Sequence, residues 1–525
     1  MSSSGAGPVC ETEIVVVGAG AAGLYAALCA AHEGATVVLI SATPLAQTAS
    51  YWAQGGLAAA LATDDSFELH LADTERAGRA LVRRSAAEIL VREAPARVED
   101  LQALGVHFDG DRSGGLALGL EGGHSVRRVV HAGGSATGRR VVRQLSALVA
   151  AESSITVFEG ARARALWTDR EHRNPAHPGA ASPTGSEDRN PIHPGDANPA
   201  RPRCRGLICD DGRVVAARAV VLGTGGAAAL WARTTNPPGS QGFGLLLAHA
   251  AGASLADLEL LQFHPTAVIG LTGREGFLIT EAIRGEGATL HDAAGERFVD
   301  ELAPRDEVAR EIALRLRESG ERAVGLDMRA IDPAHFPNVV AALREAGLDP
   351  ARELVPVAPA AHYTMGGIVA DLDARSTLPG LYAVGEASCT GLHGANRLAS
   401  NSLSECFVFA RRAVLHALST PGPVAPPPSP AELQALRSLP ASPIAGPQTR
   451  EALWRDAGIV RTAAGLQRLL EDPHPLARLL ALGALAREES RGAHQRSDHP
   501  ELDPALDRHH FVLPRDGDGT WQTWD

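Results

Sequence analysis

Three glycines near the start of the chain are spaced to hold a dinucleotide. Gly18, Gly20 and Gly23 follow a β-branched run at residues 14–17 and precede a helical pattern that extends to residue 31. The first glycine allows a tight turn, the second lets the backbone approach a pyrophosphate, and the third lets helix and strand pack closely. A second apolar run at residues 36–40 completes a βαβ unit with parallel strands. Ser41 stands where an acid usually binds a ribose, which disfavours NAD and leaves FAD open.

The complete absence of lysine excludes several kinds of chemistry. All 49 basic residues are arginines. The chain therefore has no P-loop lysine, no lysine that could form a Schiff base, and no Ser-x-x-Lys nucleophile. Kinases, most P-loop ATPases and aminotransferases are excluded on this ground.

Composition is that of a large globular protein without an obvious anionic partner. The 525 residues are 45% hydrophobic and 21% charged, with a formal net charge of −12. This charge argues against nucleic acid or an anionic membrane as a partner. The six cysteines are scattered, and no metal site is predicted. Neither a signal peptide nor an apolar run of about 18 residues, which a membrane-spanning helix would need, is visible. We expect a soluble, cytoplasmic protein.

Further elements must position the glycine-rich turn. Residues 218–222 and 380–384 predict two more strands, closed by the glycine-rich turn at residues 223–226 and by Gly385. Amphipathic helical patterns occupy residues 431–439, 448–471 and 475–489. Residues 170–203 are rich in Pro, Gly, Asn and His and repeat a short motif, which predicts a disordered surface insertion.

Six motifs, in order along the chain, resemble the succinate dehydrogenase/fumarate reductase flavoprotein superfamily. The shorter ones are Ser50-Tyr-Trp-Ala-Gln-Gly-Gly56, Gln262-Phe-His-Pro-Thr266, Glu281-Ala-Ile-Arg-Gly-Glu-Gly287, Pro304-Arg-Asp306 and His362-Tyr-Thr-Met-Gly-Gly367. The longest runs from Gly385 to Leu403 and contains Leu-His-Gly-Ala-Asn-Arg397. Within the superfamily the chain most resembles the L-aspartate oxidase family. The loop Glu121-Gly-Gly-His-Ser-Val-Arg-Arg128 with His131, and the segment Glu489-Ser-Arg-Gly-Ala-His494, support this.

The resemblance implies a substrate site for a four-carbon dicarboxylate that carries an α-amine. It places substrate-binding residues at Glu121, His264, Thr280, His362 and Arg397. Arginine can bind a carboxylate through two parallel hydrogen bonds, and Glu121 is the candidate partner of the α-ammonium group. The predicted catalytic residues are Arg305, Glu121, His264 and His362.

Arg305 matches the proton-shuttling arginine of the superfamily. A guanidinium normally stays charged, so proton transfer requires a neighbouring carboxylate, and Glu281, Glu286 and Asp306 are the alternatives. Oxidation of an amine needs no such acid, so Arg305 could serve mainly when fumarate is reduced.

The same resemblance implies FAD, held without a covalent bond because Ala49 occupies the position of the linking histidine. The residues predicted to contact FAD are Gly18, Ala19, Gly20, Ala21, Ala22, Gly23, Ser41, Ala42, Ala49, Ser50, Tyr51, Trp52, Ala53, Gln54, Gly55, Gly56, Gly223, Thr224, Gly225, Gly226, Glu386, Ser402 and Leu403. One position departs from the family, because Phe243 replaces the aspartate of a Gly-Asp-Gly motif, which puts that FAD contact in doubt.

These features predict an α/β fold with a doubly wound, Rossmann-like FAD-binding domain, an inserted α+β capping domain and a C-terminal helical bundle. The expected boundaries are 1–234 and 353–420 for FAD binding, 235–352 for the cap, 421–430 for a Pro-rich linker and 431–525 for the helical domain. The implied reaction is oxidation of L-aspartate to iminoaspartate by hydride transfer to flavin N5, with O2 or fumarate as electron acceptor. In the family this opens NAD synthesis through quinolinate, with possible handover of iminoaspartate to quinolinate synthase. The alternatives are a fumarate reductase or succinate dehydrogenase flavoprotein subunit and a non-catalytic flavin-binding protein.

Overall fold

The computed structural model describes residues 9–44, 48–169, 202–420, 422 and 424–525. Nearly all of the predicted insertion at residues 170–203 lies outside the described residues. The same is true of two positions of the predicted linker, 421 and 423.

The helices of the described residues are spread along the chain. In chain order they are α1 (Ala21–His32), α2 (Phe67–Ala77), α3 (Arg84–Ala103), α4 (Thr137–Ala151), α5 (Phe243–Ala251), α6 (Ala282–Gly285), α7 (Arg305–Ser319), α8 (Pro337–Glu345), α9 (Asn401–Ser419), α10 (Pro430–Ser438), α11 (Pro447–Asp456), α12 (Ala463–Leu469) and α13 (Pro475–Ala486).

The strands alternate with these helices over most of the chain. In chain order they are β1 (Val9–Val17), β2 (Val37–Ser41), β3 (Leu57–Ala58), β4 (Leu118–Gly119), β5 (Val129–Val130), β6 (Ile155–Glu159), β7 (Ala163–Thr168), β8 (Cys204–Cys209), β9 (Val214–Leu222), β10 (Leu255–Ala256), β11 (Leu261–Val268), β12 (Thr289–His291), β13 (Val324–Asp327), β14 (Val355–Thr364), β15 (Gly367–Val369), β16 (Leu381–Ala383), β17 (Ser388–Cys389), β18 (Val460–Arg461), β19 (Gln495–Arg496), β20 (His509–Leu513) and β21 (Thr520–Thr523).

A seven-stranded central sheet carries the glycine-rich turns. Its order is β6-β2-β1-β9-β8-β7, and β16 pairs with the end of β9. The pairs β1–β2, β1–β9, β2–β6 and β9–β16 are parallel, so the carboxyl ends of these strands meet at one edge. The predicted strand–helix–strand unit with parallel strands is therefore present.

Both faces of the central sheet are covered. Alternate residues of β1 point to opposite sides, with Ile14 and Val16 in one core and Val15 and Val17 in the other. The first core contains side chains of α1, α3, α4 and α9, and the second contains side chains of α5, α11, α12 and α13. The C-terminal helices thus form one of the two layers that bury the sheet, as a doubly wound fold requires.

A separate four-stranded antiparallel sheet, β11-β14-β13-β12, lies with α7 and α8 around its own core. That core includes Val268, Ile283, Val308, Val339 and Val357. This is the mixed unit that the resemblance predicts as a cap.

The C-terminal part departs from the predicted helical pattern in two places. The helix predicted over residues 448–471 is interrupted, because α11 ends at Asp456 and α12 begins at Ala463. Between them Arg461 is fully buried and donates to the carbonyl oxygens of Gly458 and Glu259. A buried guanidinium needs such acceptors, and Glu259 belongs to a distant part of the chain. The strands β19, β20 and β21 were also not predicted; β20 pairs with β10 far away in sequence.

Candidate active site

The glycine-rich turns predicted to contact FAD meet at the carboxyl edge of the central sheet. Gly18 follows β1, the turn at Gly223 follows β9, and Gly385 follows β16 after one residue. Gly18 has φ of +106°, and a Cβ added to it would lie 2.3 Å from the carbonyl oxygen of Gly223. Glycine is therefore required for the two turns to touch.

The N-terminus of α1 lies at this edge and fits a pyrophosphate. Its cap residue, Gly20, makes no side-chain hydrogen bond, and its first turn contains no acidic residue. The amide of Ala21 donates to Ser50 Oγ at 3.1 Å, which brings the Ala-Gln-Gly-Gly segment to the same helix end. Free amides and the helix dipole favour an anion at such a position.

The remaining segments predicted to contact FAD lie around the same edge. Ser400, which precedes α9, accepts a hydrogen bond from the Gly56 amide at 3.1 Å. Ser402 and Leu403 lie in the first turn of α9, while Ser41 ends β2 and Ala42 follows it. A Cβ added to Gly226 would lie 2.3 Å from Glu386 Oε1, so Glu386 lies against the turn after β9. Trp52 differs from the others because it is 56% exposed.

Glu386 is partly buried, in a position where its charge is disfavoured. Burial raises the pKa of its carboxyl group to about 7, although the Thr364 amide and the Arg397 charge oppose this shift. The Thr364 amide donates to Glu386 Oε1 at 3.0 Å.

The raised pKa of Glu386 predicts a pH-dependent affinity for FAD. The hydroxyl groups of a bound FAD would donate to the carboxylate and favour its ionised form. The FAD affinity of the apoprotein should therefore rise with pH through about 7 and gain roughly tenfold between pH 6 and pH 8. Fluorescence titration of the apoprotein with FAD measures this. Glu386→Gln should bind FAD with an affinity that is nearly independent of pH, and an equal pH dependence in both proteins would contradict the assignment.

Two arginines at the centre of the site share one amide oxygen. Arg305 Nη1 and Arg397 Nη2 donate to Gln262 Oε1 at 3.1 and 3.0 Å. Gln262 Nε2 in turn donates to the side chain of Asn396 and to the carbonyl oxygen of Arg397. Gln262 therefore holds two like charges side by side, although the sequence predicts no role for it beyond its place in a motif. Its place beside His264 in that motif was the signal that it lines the site.

The three carboxylates proposed as partners of Arg305 are separated by the structure. Arg305 Nε donates to Glu281 Oε2 at 2.5 Å, and Arg284 lies 3.3 Å from the other oxygen of Glu281. Asp306 instead accepts hydrogen bonds from Arg79 and Asn396, and Glu286 is exposed. Burial favours the neutral acid, but the charges of Arg305 and Arg284 keep the pKa of Glu281 below its usual range.

Arg397 is positioned by contacts on several sides. Its Nη1 donates to Ser402 Oγ at 3.0 Å, and its guanidinium lies 4.7 Å from the centre of the Tyr363 ring. Burial, followed by the charge of Arg305, lowers the pKa of Arg397 to about 10. The group is still a cation at neutral pH, and its Nε has no partner among the described residues.

The two predicted histidines face each other across the edge of the capping sheet. The ring centres of His264 and His362 are 5.1 Å apart. Burial and then the Arg305 charge lower the pKa of both rings well below the usual value, so both are neutral at pH 7. The Thr266 amide donates to His264 Nδ1, which leaves the proton on Nε2.

His362 owes its orientation to an irregularity of the sheet. Gln262 pairs with Tyr363 and Phe263 pairs with Ala361, so His362 is an extra residue between two pairs. Such a bulge redirects a side chain. Thr280, the remaining predicted substrate residue, is 3% exposed and lies directly before Glu281 and α6.

Glu121 lies beside Ser400 and the Gly55-Gly56 turn. Ser400 Oγ donates to Glu121 Oε2 at 2.7 Å, and a Cβ on Gly55 would lie 3.4 Å from Oε1. Burial favours the neutral acid, but His131, Ser400 and the Arg305 charge lower the pKa of Glu121 to about 2. Glu121 is therefore a carboxylate throughout the physiological range.

The electrostatics of the site suit an anionic ligand that also carries an amine. The buried cations Arg284, Arg305 and Arg397 outnumber the carboxylates Glu121 and Glu281. Two carboxylates of a substrate can pair with the arginine side of the site, while Glu121 offers a negative charge for a cation. Among the described residues no cluster of three His, Cys, Asp or Glu side chains is placed to hold a metal ion, and no helix is long and apolar enough to span a membrane.

Comparison with known proteins gives matches over nearly the whole chain. The model of an FAD binding domain matches residues 13–403, and that of the fumarate reductase flavoprotein C-terminus matches residues 470–522. The L-aspartate oxidase of Caulobacter vibrioides is 45% identical over 518 residues, which cover 93% of this chain and 94% of that protein. The L-aspartate oxidase of Streptomyces coelicolor is 41% identical over 97% of this chain and 92% of its own length.

Solved structures agree with these matches. The FrdA chain of the E. coli quinol fumarate reductase aligns with a TM-score of 0.81 and 28% identity, over 98% of this chain and 96% of its own. A quinol-fumarate reductase containing menaquinol aligns with a TM-score of 0.82 and 27% identity, over 99% and 98% of the two chains. The predicted resemblance, the α/β fold class and FAD as cofactor are thereby confirmed.

Proposed function

The chain belongs to the L-aspartate oxidase family, and from that premise we propose how its buried site works on L-aspartate. The reaction is the FAD-dependent oxidation of L-aspartate to iminoaspartate. The observation that carries the proposal is the pairing of Arg305 and Arg397 through Gln262, with the buried carboxylate of Glu121 within reach of both charges. This arrangement matches a dicarboxylate that carries an α-ammonium group.

FAD, when bound, supplies the two-electron oxidant for the Cα–H bond. The residues that would hold it are the turns after β1, β9 and β16, the Ala49–Gly56 segment, Glu386 and the first turn of α9. We propose that it is held without a covalent bond, because Ala49 has no side-chain nitrogen to form one.

The two substrate carboxylates are bound by the cationic side of the site. Arg397 is fixed by Ser402 and Gln262, so its planar guanidinium is already oriented for a carboxylate. His264 offers its Nε2 proton as a neutral donor, His362 lies beside it, and Thr280 is proposed as a further hydrogen-bonding group. Because Thr280, His264 and Arg397 are at most 4% exposed, water does not compete for these hydrogen bonds.

Glu121 selects the amine. Its pKa of about 2 keeps it charged, and Ser400 fixes one of its oxygens beside the Gly56 amide. A buried carboxylate discriminates strongly between an ammonium group and a hydrogen atom, because only the ammonium group satisfies its charge. Succinate and fumarate lack that group.

Arg305 and Glu281 serve the reduction of fumarate. Reduction of a carbon–carbon double bond needs a proton at carbon, and the Arg305–Glu281 pair can deliver one. We further propose O2 or fumarate as the electron acceptor and transfer of iminoaspartate to quinolinate synthase. Both follow from the family rather than from a contact in this chain.

Anaerobic mixing of the FAD-loaded protein with L-aspartate tests the function directly. We expect the oxidised flavin band to bleach with L-aspartate and to persist with succinate at the same concentration. Formation of iminoaspartate should match the loss of oxidised flavin. A flavin band that stays unchanged with L-aspartate would contradict the proposal.

Arg397→Lys should weaken dicarboxylate binding although the positive charge is kept. The lysine ammonium group cannot reproduce the planar fork of the guanidinium. A charge-assisted hydrogen bond contributes about 1.5–3 kcal/mol, so the Kd of succinate should rise by about 10- to 150-fold. The shift of the flavin spectrum during titration with succinate measures the Kd. Arg412→Lys, on α9 and paired with Glu93 and Asp373, is the matched control. An unchanged Kd in Arg397→Lys would place Arg397 outside the site.

A further inference from the structure

Glu121 and His131 face each other at ion-pair distance, without a conventional hydrogen bond to either of the two facing atoms. Glu121 Oε1 and His131 Nε2 are 3.5 Å apart. Both atoms are buried, and neither has a hydrogen-bond partner among the described residues. Because buried polar atoms are nearly always paired, such a facing pair indicates a position that a proton or a ligand completes.

The surroundings hold His131 in this position. Its carbonyl oxygen accepts from the Asp109 amide at 2.8 Å, and the Asp109 carboxylate binds the amides of Gly133 and Gly134. A Cβ added to Gly119 would lie 2.6 Å from His131 Cε1, so the ring occupies space that only glycine leaves free.

His131 is the partner of Glu121 that can pass a proton onward. Ser400 Oγ donates to Glu121 Oε2 and accepts a hydrogen bond from the Gly56 amide. Because an amide proton does not exchange during turnover, Ser400 cannot pass a proton from Glu121 to solvent by this route. His131 can accept a proton at one ring nitrogen and release it from the other. Its side chain is 16% exposed, against 2% for Glu121, so it links the buried carboxylate to solvent.

The proposed reaction requires such a path. A hydride leaves Cα readily only when the nitrogen carries a free electron pair, whereas L-aspartate arrives as an ammonium ion. We propose that Glu121 and His131 form a proton relay, in which the proton leaving the substrate ammonium group passes by way of Glu121 to His131 Nε2 and then to solvent. This inference rests on the proposed contact between Glu121 and the substrate amine.

The relay balances in atoms and electrons. One N–H bond of the ammonium group breaks, its electron pair stays on nitrogen, and a new N–H bond forms at His131. Glu121 begins and ends as a carboxylate. The free pair on nitrogen then forms the C=N bond as the Cα hydride leaves for the oxidant that the family reaction supplies.

Several charged groups lie around His131 and its loop. Glu121 faces its Nε2, the Asp109 carboxylate binds the loop that follows, and Arg140 lies against Gly133 in that loop. A protonated His131 would pair with Glu121 and compete with the substrate ammonium group. Binding of amine-bearing ligands should therefore weaken as pH falls, while binding of succinate should not.

The test compares His131→Gln with the wild type and with His107→Gln, an exposed histidine, as the matched control. At pH 7 we expect kcat/KM for L-aspartate to fall by about 10- to 100-fold in His131→Gln. The deficit should shrink toward pH 9, where solvent removes the proton, and fumarate reduction by chemically reduced enzyme should change less than twofold. Loss of both reactions, or of neither, would overturn the relay.

A binding measurement separates this role from a structural one. The probe is 2-methylaspartate, which carries the ammonium group but has no Cα hydrogen to lose. Its Kd, measured by calorimetry, should fall between pH 6 and pH 8 in the wild type and stay constant in His131→Gln, with succinate as the comparison ligand. A wild type that does not oxidise L-aspartate would reject the proposed function. If the wild type oxidises L-aspartate, but the Kd of 2-methylaspartate depends on pH in the same way in the wild type and in His131→Gln, only the relay is rejected.

Discussion

Arg305→Gln should lower fumarate reduction by roughly 10²- to 10⁴-fold while L-aspartate oxidation falls much less. Removal of a general acid has an effect of this size, and only the reduction requires a proton at carbon. Glutamine can keep a hydrogen bond to Glu281, and Arg284 still neutralises that carboxylate, so the site should stay assembled. The measurement is kcat/KM for both reactions in one preparation with matched FAD content.

Arg310→Gln provides the control for this variant. Arg310 lies on the same helix, α7, at the surface beside Glu311. Its replacement should change neither reaction. Equal losses of both reactions in Arg305→Gln would mean that Arg305 binds the dicarboxylate or holds the fold rather than delivering a proton.

Glu121→Gln should produce the opposite pattern. Glu121 is proposed to meet the ammonium group, which fumarate and succinate lack, so removal of its charge should harm L-aspartate oxidation alone. Truncation of one partner of a buried charge pair has a penalty of roughly 2–5 kcal/mol, which corresponds to about 30-fold or more in kcat/KM. Glutamine preserves the size of the side chain and can still accept from Ser400.

The effects of Arg305→Gln and Glu121→Gln can be compared directly because both reactions use the same flavin and the same carboxylate contacts. Glu99→Gln, an exposed position on α3, controls for loss of charge alone. If Glu121→Gln reduced both reactions equally, Glu121 would support the flavin site or the fold. If it reduced neither, the preference for an amine would need another residue.

Much of the fold follows from short-range patterns. The glycines at positions 18, 20 and 23 predict the turn between β1 and α1, because each meets a steric demand within the same βαβ unit. The apolar runs at residues 36–40 and 218–222 predict strands, and they coincide with β2 and with the end of β9. The helices of residues 448–471 could not be divided in this way, since the break between α11 and α12 holds Arg461, which donates to the Glu259 carbonyl oxygen about 200 residues away.

The sequence by itself determined which residue types were present for chemistry, the local conformations that hold them, and the exclusion of lysine-based mechanisms. Tertiary structure decided which of these residues meet. It chose Glu281 rather than Glu286 or Asp306 as the partner of Arg305, joined Arg305 to Arg397 through Gln262, and placed His362 on a bulge. It also brought His131 opposite Glu121. The physical reason is that spacing along the chain fixes backbone geometry over a few residues, whereas contacts between buried charges arise only when separate elements pack and must satisfy one another.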